Sequence, residues 1–229
     1  MSESIYIVLE GIDGAGKTSQ AKILAGRIRE VTRELTVELT EPQKLRGTVG
    51  DEIRHRLVNG PELQPWEAVG MFTADRIQLL RTDIEPALRQ GQIVIQDRCW
   101  LSTCVYNAFW GETESHPPTP RAVWLAQHHM KIMPRPDLLI LLDVDKKTAE
   151  RRLLDRAKKT GKKLDQFDKD DKHDERRERY QRLMELDGIA SKKVAIDAER
   201  NEEDVMKVVW RHVSPVLKEK GRLWPVGPT

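Results

Sequence analysis

The sequence predicts an α/β protein, a three-layer sandwich in which a five-stranded parallel sheet is flanked by helices. Three observations predict it. Five short runs rich in Ile, Val and Leu alternate with helical patterns along the chain, and that alternation favours parallel pairing through crossover helices. The runs are apolar on both faces, as strands covered on both sides must be. The 229 residues suffice to bury such a core, although 38% hydrophobic against 33% charged residues describe a very polar surface around a modest interior.

In order, Ile5 to Leu9 make the first strand, ended by Glu10-Gly11, and Ile23, Leu24 and Ile28 mark the helix that follows. Leu35 to Leu39 make the second strand, followed by a helix around Val49 to Val58. Pro65 opens a long helix carrying Val69, Phe72, Ile77, Leu80 and Ile84. The third strand is Ile93-Val94-Ile95, with helices from Leu101 and from Pro120. Leu138 to Leu142 make the fourth strand; a basic helix, a polar stretch and a further helix lead to the fifth, Val194-Ala195-Ile196. A last helix runs from Glu202 to Leu217. Residues 111 to 120, rich in Pro and Glu, read as a surface connection, and 157 to 175 as a mobile, charged cover. One domain therefore spans 1–229, with a lid at about 151–175.

Composition excludes several classes. The most continuous apolar run, Leu138 to Leu142, is far short of the roughly 20 residues of a membrane span. The first residues lack a basic region before the apolar run, so they do not read as a secretory signal, and a cytoplasmic location is expected. Cys99 and Cys104 alone fit neither a disulfide framework nor a zinc site. A net charge of +2 gives no overall field for nucleic acid, and none is expected as partner. Residues 146 to 182 nevertheless hold 15 Lys or Arg against 9 Asp or Glu. Such a segment suits a small anionic ligand, or is simply a solvated helix face.

Chemistry enters at Gly11-Ile12-Asp13-Gly14-Ala15-Gly16-Lys17-Thr18, which fits G-x-x-x-x-G-K-[ST] at every fixed position. The glycines let backbone N–H groups turn inward around phosphate oxygens, Lys17 reaches the β and γ phosphates, and the Thr18 hydroxyl ligates magnesium. The helix starting there adds the positive end of its dipole. The motif sits between strand and helix, so the fold is of the P-loop NTPase kind and a nucleoside triphosphate with Mg2+ is the expected ligand. GTPases would add N-K-x-D, which is absent. The third strand runs into Asp97-Arg98, where an Asp can hold magnesium or its water shell and an Arg can clamp a second phosphate.

With Glu41-Pro42, Phe72-Thr73-Ala74-Asp75-Arg76, Asp97-Arg98 followed by Ser102 and Tyr106, Pro136-Asp137 before Leu141-Leu142-Asp143-Val144, and a basic lid, the chain resembles the thymidylate kinase family over nearly its whole length. The resemblance implies a single nucleoside monophosphate kinase domain, usually a homodimer, that transfers phosphate from ATP to dTMP. It implies that Phe72 stacks on the acceptor base and that Arg76 hydrogen-bonds the base carbonyl. Their spacing of four residues sets both on one helix face. On the same footing Arg98 clamps the acceptor phosphate, Asp13 faces the sugar 3′-hydroxyl, Tyr106 crowds the 2′ position and Thr103 offers a polar contact to the base. Phosphoryl transfer is catalysed by positioning and charge neutralisation, so an arginine near the moving group is needed. Members of the family carry that arginine either in the phosphate loop or in the lid; residues 11 to 18 contain none, so the resemblance implies that the lid supplies it, where Arg152 and Arg156 match best, with Arg151 and Lys158 as neighbours that could substitute. The plainer alternative is that Phe72 is a core residue and Arg76 a surface charge.

The chain also departs from the family pattern. Thr40 stands where an Arg commonly precedes Glu-Pro, Gln43-Lys44-Leu45-Arg46 replaces a glycine pair with Arg46 as a compensating cation, Cys99 replaces a Tyr and Asn107 a Gln. These surround the acceptor, so a kinase of the same fold with a broader or different nucleoside monophosphate range is the alternative. A nucleotide-binding regulatory protein without transfer is the third reading.

Overall fold

The computed structural model describes residues 3–61, 63–108, 120–161, 163–169 and 171–223. The expected surface connection at 111 to 120 lies, up to 119, outside the described residues. Strands β1 (Ile5–Glu10), β2 (Thr36–Thr40), β3 (Ile93–Asp97), β4 (Leu138–Asp143) and β5 (Lys192–Asp197) form one sheet in the order β2-β3-β1-β4-β5. All four pairings are parallel, with Ile7 opposite Ile95 on one side and Leu138 on the other. The central strands β1, β3 and β4 are buried almost throughout. The edge strands read differently: β2 is partly exposed, and β5 begins with exposed Lys192 and Lys193, charges that discourage edge-to-edge pairing.

Helices α1 (Lys17–Thr32), α2 (Val49–Asn59), α3 (Pro65–Leu79), α4 (Glu85–Arg89), α5 (Trp100–Thr103), α6 (Pro120–Ile132), α7 (Lys146–Thr160), α8 (Gln166–Lys169), α9 (His173–Met184) and α10 (Glu202–Glu219) cover the sheet. α1 buries Gln20, Ala21, Leu24, Ala25 and Ile28, one helical stripe, and packs beside α10, which buries Val205, Val209, Val213 and Val216. Thr48, Asp145 and Asn201 cap α2, α7 and α10 by accepting from Asp51, Thr148 and Asp204 backbone N–H groups.

Two helices depart from the regular pattern the sequence suggests. The long helix from Pro65 widens into a π turn at Leu80–Ile84 before resuming as α4. Pro86 explains this, because it has no N–H to donate and its ring crowds the preceding turn. The helix near Leu101 is short and passes into a π turn at Cys104–Ala108. The charged stretch 157–175 also differs from a featureless cover: α7 runs to Thr160, α8 lies inside it, and α9 starts at His173. Cys99 and Cys104 are buried, unpaired thiols. Among the described residues no helix is long and apolar enough to cross a membrane.

Candidate active site

A cavity of about 990 Å³ opens at the carboxyl ends of the strands, where open α/β sheets place ligands. Asp13 follows β1, Thr40 ends β2, Asp97 ends β3 and Ala198 follows β5, and all four line it.

Its floor is the loop 11–18. Gly11, Gly14 and Gly16 take φ of 145°, 83° and 93°. A Cβ on Gly11 would lie 2.5 Å from the Leu142 carbonyl oxygen, and one on Gly14 2.5 Å from that of Ala149, so the loop is pressed between β4 and the start of α7. Gly14→Ala is expected to lower the melting temperature by roughly 2–12 °C, and an unchanged melt would show that the loop does not rest on α7. No side chain caps α1, whose first N–H groups face the loop. Lys17 Nζ donates to the Ile12 carbonyl at 2.7 Å. Burial and the neighbouring Arg98 charge lower the Lys17 ammonium to about 8.

Beside the loop, Thr18 Oγ1 donates to Asp97 Oδ2 at 2.5 Å, while Asp97 Oδ1 is buried with no partner among the described residues. A hydroxyl and a carboxylate, both hard oxygen donors, suit a magnesium ion that keeps most of its coordination for waters and phosphates.

Arg98 stands at φ 72°, a left-handed backbone that aims its side chain back across β1. Its guanidinium donates to Asp13, to Ser102 Oγ at 2.9 Å and to the Gly11 carbonyl at 3.3 Å. Asp13 also accepts from Tyr106 Oη at 2.8 Å. Burial would raise the Asp13 carboxyl, but Arg98 and Lys17 outweigh it and hold it below the usual range.

The opposite wall carries the candidate base contacts. Phe72 is half-buried on α3 and lines the cavity. Arg76, four residues on, is only 1% exposed, which excludes the surface-charge reading, and it lies behind the cavity lining, not in it. Its Nε and Nη2 donate to Glu41 Oε2 at 2.9 and 2.6 Å, and Nη2 also to Thr103 Oγ1 at 2.8 Å. Nη1 is buried without a hydrogen-bond partner among the described residues. Glu41 is pinned on its other side by Gln96 Nε2 at 2.7 Å.

The lid arginines are both engaged. Arg152 donates to the carbonyls of Ala198, Glu199 and Arg200 at 2.9, 3.3 and 2.9 Å, and Arg156 pairs with Asp168 at 3.1 Å. Arg151 lines the cavity too, whereas Lys158 does not.

Several lining residues escaped the sequence reading. Arg54 on α2 enters the cavity wall and holds the Pro42 and Gln43 carbonyls with Nε at 3.1 Å each. Arg46, expected to replace the missing cation near Thr40, is exposed and outside the cavity lining. Phe167 of α8 meets Tyr106 edge-to-face with centroids 5.1 Å apart, and the Arg176 guanidinium lies 4.4 Å from the Tyr106 centroid. A lone aromatic within a charged stretch was the available signal. Asp165 is pushed up to about 6 by burial and by the nearby Asp168 and Asp13.

Comparison with known proteins finds relatives over most of the chain. The model of the thymidylate kinase family matches residues 9–209. A probable thymidylate kinase of Archaeoglobus fulgidus is 32% identical over 218 residues, 94% of this chain and 98% of that protein. The thymidylate kinase of Thermomicrobium roseum is 40% identical over 145 residues, 62% of this chain and 63% of that protein. A probable thymidylate kinase of Pyrococcus abyssi is 36% identical over 149 residues, 64% and 68% of the two chains.

Proposed function

This chain belongs to the thymidylate kinase family, and from that premise we propose that its cavity transfers the γ-phosphoryl group of ATP to dTMP, giving dTDP and ADP. One observation carries the reading: the phosphate loop with its uncapped helix and the Phe72, Thr103, Tyr106 wall open into the same cavity, with Arg98 between them. Donor and acceptor phosphates would meet at Arg98.

The roles follow from the groups present. Loop N–H groups and Lys17 hold the donor phosphates, and Lys17 exchanges the Ile12 carbonyl for phosphate oxygen. Thr18 and Asp97 would hold Mg2+, which neutralises phosphate charge when bound. Phe72 offers a stacking face and Thr103, held by Arg76 Nη2 behind it, offers a polar contact to the base. Tyr106 and Asp13 border the acceptor sugar, with the Asp13 carboxylate kept anionic to accept from a hydroxyl. Arg98 gives up part of its hold on Asp13 to clamp the acceptor phosphate. Arg152 and Arg156 supply charge from the lid at 151–175, Arg156 by leaving the exposed side of its pair with Asp168. Since phosphoryl transfer depends on such placement, no covalent role is asked of any side chain.

The homodimer and the cytoplasmic location belong to the same proposal. Trp66 at the start of α3, 69% exposed, marks a face that a second copy would cover, and light scattering measures that mass directly.

The deciding experiment is a coupled ADP-release assay with ATP and magnesium against dTMP, dUMP, dGMP, dAMP, dCMP and the ribonucleotides. Strong preference for dTMP is expected; equal turnover of several acceptors would favour the broader range suggested by Thr40 and Cys99. No transfer to any of them would leave nucleotide binding alone. In the same assay Phe72→Ala should raise the dTMP KM roughly tenfold at unchanged ATP KM, the scale of one lost base–aromatic stack. An unchanged dTMP KM would remove Phe72 from the acceptor site.

A further inference from the structure

We propose that Tyr180, on the helix that follows the lid, is a positioning residue for Arg98, fixing the guanidinium that receives the acceptor phosphate. This rests on the reading of Arg98 as that clamp.

The geometry begins at Glu10, the last residue of β1, wholly buried and offered four donors. Oε1 accepts from the Cys99 and Ser102 backbone N–H groups at 2.8 and 3.2 Å, and Oε2 from Ser102 Oγ at 2.8 Å and Tyr180 Oη at 2.9 Å. The two hydroxyls are themselves 2.8 Å apart. Once both have turned their protons toward the carboxylate, their lone pairs face outward, and Arg98 Nη1 donates to Ser102 Oγ at 2.9 Å and to Tyr180 Oη at 3.3 Å. Glu10 therefore acts at one remove: it orients two hydroxyls, and they orient the guanidinium.

Nothing in β3 or its following turn could do this alone. Arg98 sits in a left-handed backbone and has a long side chain, so its head needs support from outside its own segment. Asp13 holds Nη2, but that carboxylate is proposed to serve the acceptor sugar, which leaves Nη1 as the anchored end during turnover. Tyr180 is 1% exposed, so its ring is locked by packing. The same helix carries Arg176, stacked on Tyr106, and Arg177, paired with Asp143 at 2.6 Å. α9 thus ties the chain that leaves the lid to the acceptor clamp.

The test is a double-mutant cycle on the full chain with dTMP and ATP. Tyr180→Phe keeps the ring and removes one oxygen, leaving Glu10 three donors; it should raise the dTMP KM about five- to tenfold with the ATP KM unchanged. In the Arg98→Lys background the same change should shift the dTMP KM less than about twofold, because its target is gone. Ser102→Ala should share the signature, and it carries the test if Tyr180→Phe lowers the melting temperature too far for assay. If Arg98→Lys raises the dTMP KM but Tyr180→Phe and Ser102→Ala do not, the clamp stands and the positioning role falls. Equal effects of Tyr180→Phe in both backgrounds would likewise overturn it, as a general packing effect. If Arg98→Lys itself leaves the dTMP KM unchanged, the clamp reading fails and takes the proposal with it.

Discussion

Replacing Lys17 with Met should lower kcat about a thousandfold while the melting temperature moves by only a degree or two. The side chain is buried, but its only hydrogen bond among the described residues goes to the Ile12 carbonyl, so removing it costs the fold little. Its work is electrostatic. An ammonium aimed at the phosphates from a protected site is the kind of preorganised donor whose loss costs roughly 10²–10³ in kcat. The same burial gives a pH signature. Lys17 is cationic below about 8 and loses its proton above it, so kcat/KM for ATP at saturating magnesium should be level up to that pH and then fall about tenfold per unit. At saturating ATP the bound phosphates hold the proton on, and kcat should stay level to higher pH. A kcat/KM that stays level to pH 10 would show that Lys17 is not the group that titrates in the free protein. A Lys17→Met variant within tenfold of the parent would remove it from catalysis.

The donor side was legible because its geometry is written locally. Eight consecutive residues set their own backbone, with glycine at each left-handed turn, and a strand before and a helix after complete the cradle. The five strands were legible for a similar reason, being short apolar runs between breakers. Only the strand ends shifted: each strand runs one or two residues past its apolar run, to Glu10, Thr40, Asp97, Asp143 and Asp197, because these polar residues pair in the sheet without carrying an apolar signal. The acceptor side was legible as a set of residues but not as an arrangement. The spacing of Phe72 and Arg76 foretold a shared helix face, yet Arg76 is buried against Glu41 from β2's end and Thr103 from α5, partners 35 and 27 positions away in sequence. Arg54 and Tyr180 were invisible for the same reason, because their meaning lies in what folding brings beside them. Arg46 shows the converse: a cation in the right loop faces solvent, while the one on the next helix turns inward.

Glu41→Leu should destabilise the protein by about 3–5 kcal/mol, roughly 6–20 °C in melting temperature, the largest loss expected from a single substitution at the acceptor wall. The pair it breaks is closed on all sides: the Arg76 and Glu41 side chains are 1% and 2% exposed and 2.6 Å apart. Removing either leaves the other in the interior, but the two losses are not equal. A carboxyl can take up a proton, and burial already pushes Glu41 in that direction against the pull of Arg76. A guanidinium has no such escape at any accessible pH. Arg76→Met should therefore cost less than Glu41→Leu, and the double variant less than the sum of the two, because it leaves no orphaned charge in the site. Chemical denaturation of the four proteins measures all of this. If both single variants lose the same stability and the double loses their sum, Arg76 and Glu41 are not an energetic unit, and the wall they build is held by apolar packing alone.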